Sequence, residues 1–168
     1  MNSTVISNIV RFILVLAAQV ALFNNIHLFG FVTPFPYILF IILYPVNGNR
    51  NALLIASFFL GIAMDMFLNS GGVHAASSVM LAYFRPSLFK FSFGLSYEYQ
   101  TVRLDDSLNK ERFTFLLLAV ILHHLVMFLL EIFGFSYFLD ILWRTLLTTI
   151  FTLLVCILLI YLFKPNRR

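Results

Sequence analysis

Long apolar runs constrain this chain more than any other feature of its sequence. Each run approaches the roughly 20 residues that an α-helix needs to cross the ~30 Å hydrocarbon core of a bilayer. The runs are separated by short polar or glycine-containing stretches. We predict an all-α polytopic membrane protein with six transmembrane helices, over residues 6–23, 28–46, 52–68, 73–84, 113–135 and 138–163.

Composition agrees with a membrane protein. Of the 168 residues, 61% are hydrophobic and 11% are charged, whereas soluble domains are about half apolar and a quarter charged. The length leaves no room for a second folded unit, so we predict a single transmembrane domain over residues 1–168 with one cytoplasmic loop at about 85–112. The single cysteine, Cys156, excludes an internal disulfide and a cysteine-based zinc site.

Basic residues predict the orientation. With the N-terminus placed inside, nine of the eleven Lys and Arg residues fall in inner segments, and the outer loops near 24–34, 69–72 and 134–137 have none. This asymmetry follows the positive-inside rule and requires an even number of spans. Both termini are therefore predicted to be cytoplasmic. The net charge of +4 reflects this bias, and we expect no nucleic-acid binding.

Polar residues in the third and fourth spans predict a close helix–helix contact. Gly61 and Asp65 are four residues apart and share one helix face. His74 begins the next span after a glycine turn, so Asp65 and His74 are expected to pair near the outer surface. Small residues such as Gly61 and Ala75 would let the two helices approach closely.

Three further ionisable residues are predicted near the outer side: Glu131 in the fifth span, and Asp140 and Arg144 one turn apart in the sixth. Together with Asp65 and His74 they form a predicted outer polar cluster. It has three interpretations, which are contacts between helices, a site for a ligand, ion or proton, and docking of a partner. Ionisable groups at membrane depth are costly unless they face a partner or a cavity.

Catalysis finds no support in the motifs. HExxH, GxSxG, Walker and GxGxxG patterns do not occur. Adjacent residues on a helix point about 100° apart, so His123 and His124 are not expected to chelate one ion as an i, i+4 pair would. We expect no metal and no cofactor.

The loop at 85–112 contains an alternating pattern. From Phe89 to Gln100, aromatic and apolar side chains alternate with polar or small ones, which predicts an extended strand or hairpin. Two interpretations remain: an aromatic segment at the headgroup level, or an edge available to a partner. Asp105, Asp106 and Ser107 are predicted N-caps for the fifth helix.

The sequence GIAMDMFLNSGGVHA at 61–75, followed by AYFRP at 82–86, resembles the bacterial rod shape-determining protein MreD family. The resemblance implies a non-enzymatic scaffold of the cell-wall elongation complex in the bacterial cytoplasmic (inner) membrane. Its implied partners are the single-span protein MreC, the RodA-type peptidoglycan synthase with its transpeptidase, and the MreB actin homologue.

The same resemblance implies a fold similar to the substrate-binding subunits of energy-coupling-factor vitamin transporters. A small-molecule-binding transporter subunit is therefore the alternative function. The candidate structural or partner-binding residues are Gly61, Asp65, His74, Glu131, Asp140 and Arg144.

Overall fold

The computed structural model describes residues 3–94, 109–132 and 138–163. The described residues form helices and no β-strand, and an isolated β-bridge joins Leu28 and Val32. The α-helices are α1 (Ser3–Ala21), α2 (Leu39–Ile42), α3 (Arg50–Leu68), α4 (Val73–Phe93), α5 (Lys110–Ile132) and α6 (Phe138–Leu162), with 3-10 helices at Phe23–Asn25 and Pro36–Ile38.

Four helical segments in the described residues are long and apolar enough to span a membrane: Val5–Asn25, Arg50–Leu68, Lys110–Ile132 and Phe138–Leu162. They indicate a multi-pass α-helical membrane protein, which confirms that part of the prediction. α4 is comparable in length, but its serines together with Arg85 and Lys90 make it less apolar. The prediction of six spanning helices is thus supported for four.

The predicted span at 28–46 is not a continuous helix. It consists of the bridge at Leu28, an extended stretch, the 3-10 helix and the four residues of α2. Pro34 and Pro36 explain the break, because a proline supplies no backbone N–H and disfavours helical geometry in the residue before it. Residues 34–42 are nevertheless all buried. We call residues 33–44 the broken segment; it lies inside the bundle and contributes much of its core.

α4 is longer than predicted, since it continues through Pro86 to Phe93. The prediction of an extended strand is therefore wrong for residues 89–93, and residues 95–100 lie outside the described chain. The alternating pattern misled because Phe89 and Phe93 are also one helical turn apart. Their rings lie 5.4 Å apart, and Phe89 stacks on Phe115 of α5 at 4.1 Å.

The long helices pack in chain order, α3 on α4, α4 on α5 and α5 on α6, while α1 packs against α3 and the broken segment. The turn between α3 and α4 contains Asn69, Gly71 and Gly72, all with positive φ. Glycine tolerates this conformation without steric cost, and asparagine tolerates it better than most residues. α5 begins after Asn109, whose side chain accepts a hydrogen bond from the Arg112 N–H at 2.9 Å. The predicted caps at 105–107 lie outside the described residues.

Candidate functional site: a buried polar network

Asp65 connects α3 to the start of α4. Its Oδ1 accepts hydrogen bonds from the His74 N–H at 3.0 Å and the Ser70 hydroxyl at 2.6 Å, and its Oδ2 accepts one from the Ala75 N–H at 2.9 Å. The first N–H groups of a helix have no partner within the helix, and a carboxylate there also interacts favourably with the helix dipole. Asp65 thus contacts His74 as predicted, but through the backbone of His74.

Gly61 makes the contact between α3 and α4 possible. A Cβ atom built on Gly61 would lie 2.5 Å from the His74 carbonyl oxygen and 2.6 Å from the Ala75 nitrogen. Real Cβ atoms do not approach backbone atoms so closely, so a larger residue would force the helices apart. Ser78 and Ala82 are also buried on α4. The small-residue contact predicted from the sequence is present.

The Tyr37 hydroxyl is the centre of the network. It lies 3.0 Å from Nδ1 of His74 and 2.7 Å from Nε2 of His123. Ser78 Oγ lies farther from it, at 3.4 Å. Tyr37 and His123 are completely buried. One hydroxyl therefore bridges the broken segment, α4 and α5.

The direction of each hydrogen bond around Tyr37 follows from choosing the histidine tautomers that give the most buried polar atoms a partner. Nδ1 of His123 is buried without a hydrogen-bond partner, and a bare ring nitrogen there costs less than an orphaned N–H. Nε2–H of His123 therefore donates to the Tyr37 oxygen, and the Tyr37 O–H donates to Nδ1 of His74. Ser77 Oγ donates to the His74 carbonyl at 3.2 Å. It also lies 3.1 Å from Nε2 of His123, so the Nε2–H of His123 is shared between the oxygens of Tyr37 and Ser77.

The backbone of the broken segment is held by two polar side chains. Gln19 of α1 accepts a hydrogen bond from the Tyr37 N–H at 3.1 Å and donates to the Pro34 carbonyl at 3.0 Å. Thr152 of α6 accepts from the Phe35 N–H at 3.1 Å. Irregular backbone at membrane depth is tolerated only where the protein itself satisfies its polar groups. Gln19 and Thr152 meet this requirement.

His123 and His124 point to different parts of the protein, as their adjacent positions predict. His123 contacts Tyr37, whereas His124 lies 3.4 Å from the hydroxyls of both Thr149 and Thr152 on α6. Their ring planes are 86° apart. Within the described residues, no group of three or more His, Cys, Asp or Glu side chains is arranged to hold a metal ion.

Glu131, Asp140 and Arg144 do not join this network. All three are exposed, and the described residues form no ion pair between Asp140 and Arg144. The predicted cluster of five ionisable residues is wrong in this respect. The buried face of α6 contains Ile141, Thr145 and Thr148, and residues 140 and 144 are each rotated about 100° from 141 and 145.

Sequence reasoning missed the central residues Tyr37 and Gln19. The apolar run at 28–46 predicts an ordinary span around Tyr37, although two prolines precede it within three residues. Gln19 and Asn8 are the two amide side chains in the apolar run at 6–23. A buried amide at membrane depth indicates a polar partner. Arg11 and Arg85 also donate to carbonyls at or just after the end of α2, contacts that the sequence pattern does not predict.

Comparisons of the chain with protein-family models, with curated proteins and with solved structures find no match.

Proposed function

We propose that this protein is a non-enzymatic scaffold of the bacterial cell-wall elongation (rod) complex. In this proposal it binds an MreC-type membrane protein and supports the RodA-type synthase and its transpeptidase, in the cytoplasmic membrane with both termini inside. The proposal starts from the resemblance of residues 61–86 to the MreD family. It is also supported by how the described chain uses its interior and its surface.

The main support is that the interior is occupied by the chain itself. The broken segment fills the bundle, and its backbone and the Tyr37 hydroxyl bond to neighbouring helices. Two residues of the MreD-like stretch, Gly61 and Asp65, are engaged in packing α3 against α4. Another molecule would then bind to the exposed helix surfaces around the bundle.

The exposed surface of α6 suits a partner helix. α6 exposes large apolar side chains along its length, including Leu139 at 79% and Leu158 at 65%. Apolar surface alone does not drive helix association in lipid, so a specific partner also needs packing or polar contacts. Asp140 and Arg144, exposed on the same helix, offer such contacts near the predicted outer end. We place the partner-binding face there.

Affinity purification in mild detergent followed by mass spectrometry tests this proposal. The wild-type protein is expected to retain an MreC-type protein, and the double variant Asp140→Asn/Arg144→Gln is expected to retain several-fold less. Lys90→Gln, which changes an exposed charge on α4, is the matched control and should retain the partner. Equal recovery of the partner by the double variant would remove α6 as the binding face, and failure of the wild type to recover any such partner would contradict the scaffold function.

A second candidate function is a substrate-binding subunit of a small-molecule transporter. The observation that favours it is the broken segment, because unwound backbone beside buried polar side chains is where membrane transporters bind their substrates. In this case Tyr37, His74 and His123 would rearrange to contact the ligand. A small molecule that purifies with the wild-type protein and is lost in Tyr37→Phe would favour this function over the scaffold.

A further inference from the structure

A short turn follows the 3-10 helix at Phe23–Asn25 and leads into the broken segment. Within it Leu28 and Val32 exchange two backbone hydrogen bonds, each 2.9 Å long. The Gly30 N–H donates to the carbonyl of residue 27 at 3.3 Å. These bonds give the tip one defined backbone conformation. We call residues 26–32 the apolar turn.

Phe29, at the tip of the apolar turn, has an unfavourable backbone conformation. Its φ is 54°, in the left-handed region where the Cβ of an L-residue crowds the following carbonyl oxygen. Glycine or asparagine would adopt this conformation at lower cost. The Phe29 side chain is nevertheless 81% exposed, so packing within the chain does not offset the cost. Strained residues cluster at functional sites, and an outward aromatic ring on such a residue indicates a contact outside the chain.

The apolar turn presents further apolar surface and no charge. The large side chains of Ile26, Leu28 and Phe31 are also exposed. No Asp, Glu, Lys or Arg occurs at residues 12–49, and the ring of His27 has a hydrogen-bond partner within the chain. Apolar surface of this kind is unfavourable in water, whereas lipid can cover it without the cost of desolvating a charge.

The apolar turn is held close to the end of α1. Nε2 of Gln19 donates both to Oδ1 of Asn24 and to the Pro34 carbonyl, at 3.0 Å each, so one amide group binds the chain on both sides of the turn. The helical segment Val5–Asn25 has 21 residues and is about 31 Å long at 1.5 Å per residue, which matches the ~30 Å hydrocarbon core. The turn that follows it therefore lies at the level of the lipid headgroups, on the side predicted to be extracytoplasmic.

We propose that the apolar turn inserts into the boundary between the headgroups and the acyl chains of the outer leaflet, with Phe29 as its anchor. Phenylalanine and leucine are typical of the apolar faces of segments that lie in this boundary. α1, a membrane-spanning helix, also exposes Leu14 and Leu22, and no charged residue separates them from the turn. This continuity with a lipid-facing surface favours lipid over a soluble protein partner. The inference is independent of the proposed scaffold function, since it needs no second protein.

Tryptophan fluorescence of the full-length protein in phosphatidylcholine vesicles tests the proposal. Trp143 is the single tryptophan, so the variant Trp143→Phe/Phe29→Trp reports on the tip alone. Lipids brominated near the headgroup end of their acyl chains are expected to quench its emission several-fold more than lipids brominated near the chain end. Acrylamide in the water should quench it several-fold less than it quenches free N-acetyltryptophanamide.

Trp143→Phe/Ile150→Trp is the matched control, because Ile150 is exposed near the middle of α6; its emission should show the reverse order of lipid quenching. A tip that acrylamide quenches as strongly as the free amide, with no quenching by brominated lipid, would overturn the proposal and leave the turn as a surface for a soluble partner. A tip with the same depth profile as the Ile150→Trp control would overturn its place at the boundary.

A second experiment tests whether Phe29 itself provides the anchor, with Trp143→Phe/Phe31→Trp as the reporter. Asparagine tolerates the φ of residue 29 but removes its apolar ring, so Phe29→Asn should raise acrylamide quenching of the reporter several-fold. Phe29→Leu keeps an apolar side chain and should leave the quenching low. Circular dichroism of each variant verifies its helical fold. Unchanged quenching in Phe29→Asn would show that Phe29 is not the anchor.

Discussion

Removing the Asp65 carboxylate should destabilise the protein more than removing any exposed carboxylate. Asp65→Ala leaves the N–H groups of His74 and Ala75 without their acceptor, at 3.0 and 2.9 Å in the intact protein. Both residues are buried, so each orphaned N–H costs about 1–3 kcal/mol. The Ser70 hydroxyl can rotate towards another acceptor and adds little. We expect the free energy of unfolding to fall by about 2–6 kcal/mol.

Asp65→Asn should cost less, about 1–3 kcal/mol, because one side-chain oxygen remains as an acceptor. Asp140→Ala is the matched control: Asp140 is exposed in the first turn of α6, where a carboxylate contributes at most about 1 kcal/mol through the helix dipole. The assay is equilibrium unfolding in mixed detergent micelles, followed by helicity. If Asp65→Ala and Asp140→Ala had the same unfolding midpoint, the assigned role of Asp65 at the start of α4 would be wrong.

Three other changes have distinct expected outcomes. Gly61→Val should lower the free energy of unfolding by about 3 kcal/mol or more, since its side chain must displace the α4 backbone; wild-type stability would contradict the close contact. Tyr37→Phe keeps the ring but leaves Nδ1 of His74 without its donor, while Nε2–H of His123 keeps Ser77 Oγ as an acceptor, so the same unfolding assay should show a loss of about 1–3 kcal/mol; no loss would show that the hydroxyl bonds contribute nothing. Reporter fusions after Asn49 should be cytoplasmic and those near Ser70 extracytoplasmic; the opposite pattern would exclude the predicted orientation.

The sequence predicts α1, α3, α5 and α6 well because an uninterrupted apolar run has few alternatives to a membrane helix. The contact between α3 and α4 is also predictable. Gly61 and Asp65 share a face by their spacing, and a four-residue turn places His74 directly opposite. Here local periodicity and a tight turn together determine which residues meet.

The broken segment is less predictable because its conformation depends on distant partners. Pro34 and Pro36 indicate a break, but only contacts with Gln19 and Thr152, on helices far apart in sequence, determine where the freed backbone groups are satisfied. The prediction of a strand at the end of α4 is wrong for a related reason. An aromatic residue at every second position fits a strand, yet every second member of that series also lies on one helical face, and packing of Phe89 on α5 favours the helix.

The prediction that Asp140 and Arg144 join a buried polar cluster is wrong because of the direction in which their helix face points. Asp140 and Arg144 share a face by their i, i+4 spacing, as predicted, but spacing alone does not say whether that face is turned towards the bundle. Thr145, Thr148 and Thr152 hold the buried face of α6 instead. Threonines are small enough to pack between helices, and Thr152 also accepts a hydrogen bond from the Phe35 N–H, whereas a buried charge without a partner would be costly.

Controlled depletion of the protein, with cell shape and nutrient uptake measured in the same culture, tests the scaffold function most directly. In a rod-shaped host, the proposal predicts rounded, wall-defective cells that regain their shape when the wild-type chain is restored, with vitamin uptake unchanged throughout. Cells that keep a normal shape and normal wall synthesis but lose the uptake of one nutrient would contradict the scaffold and favour the transporter subunit.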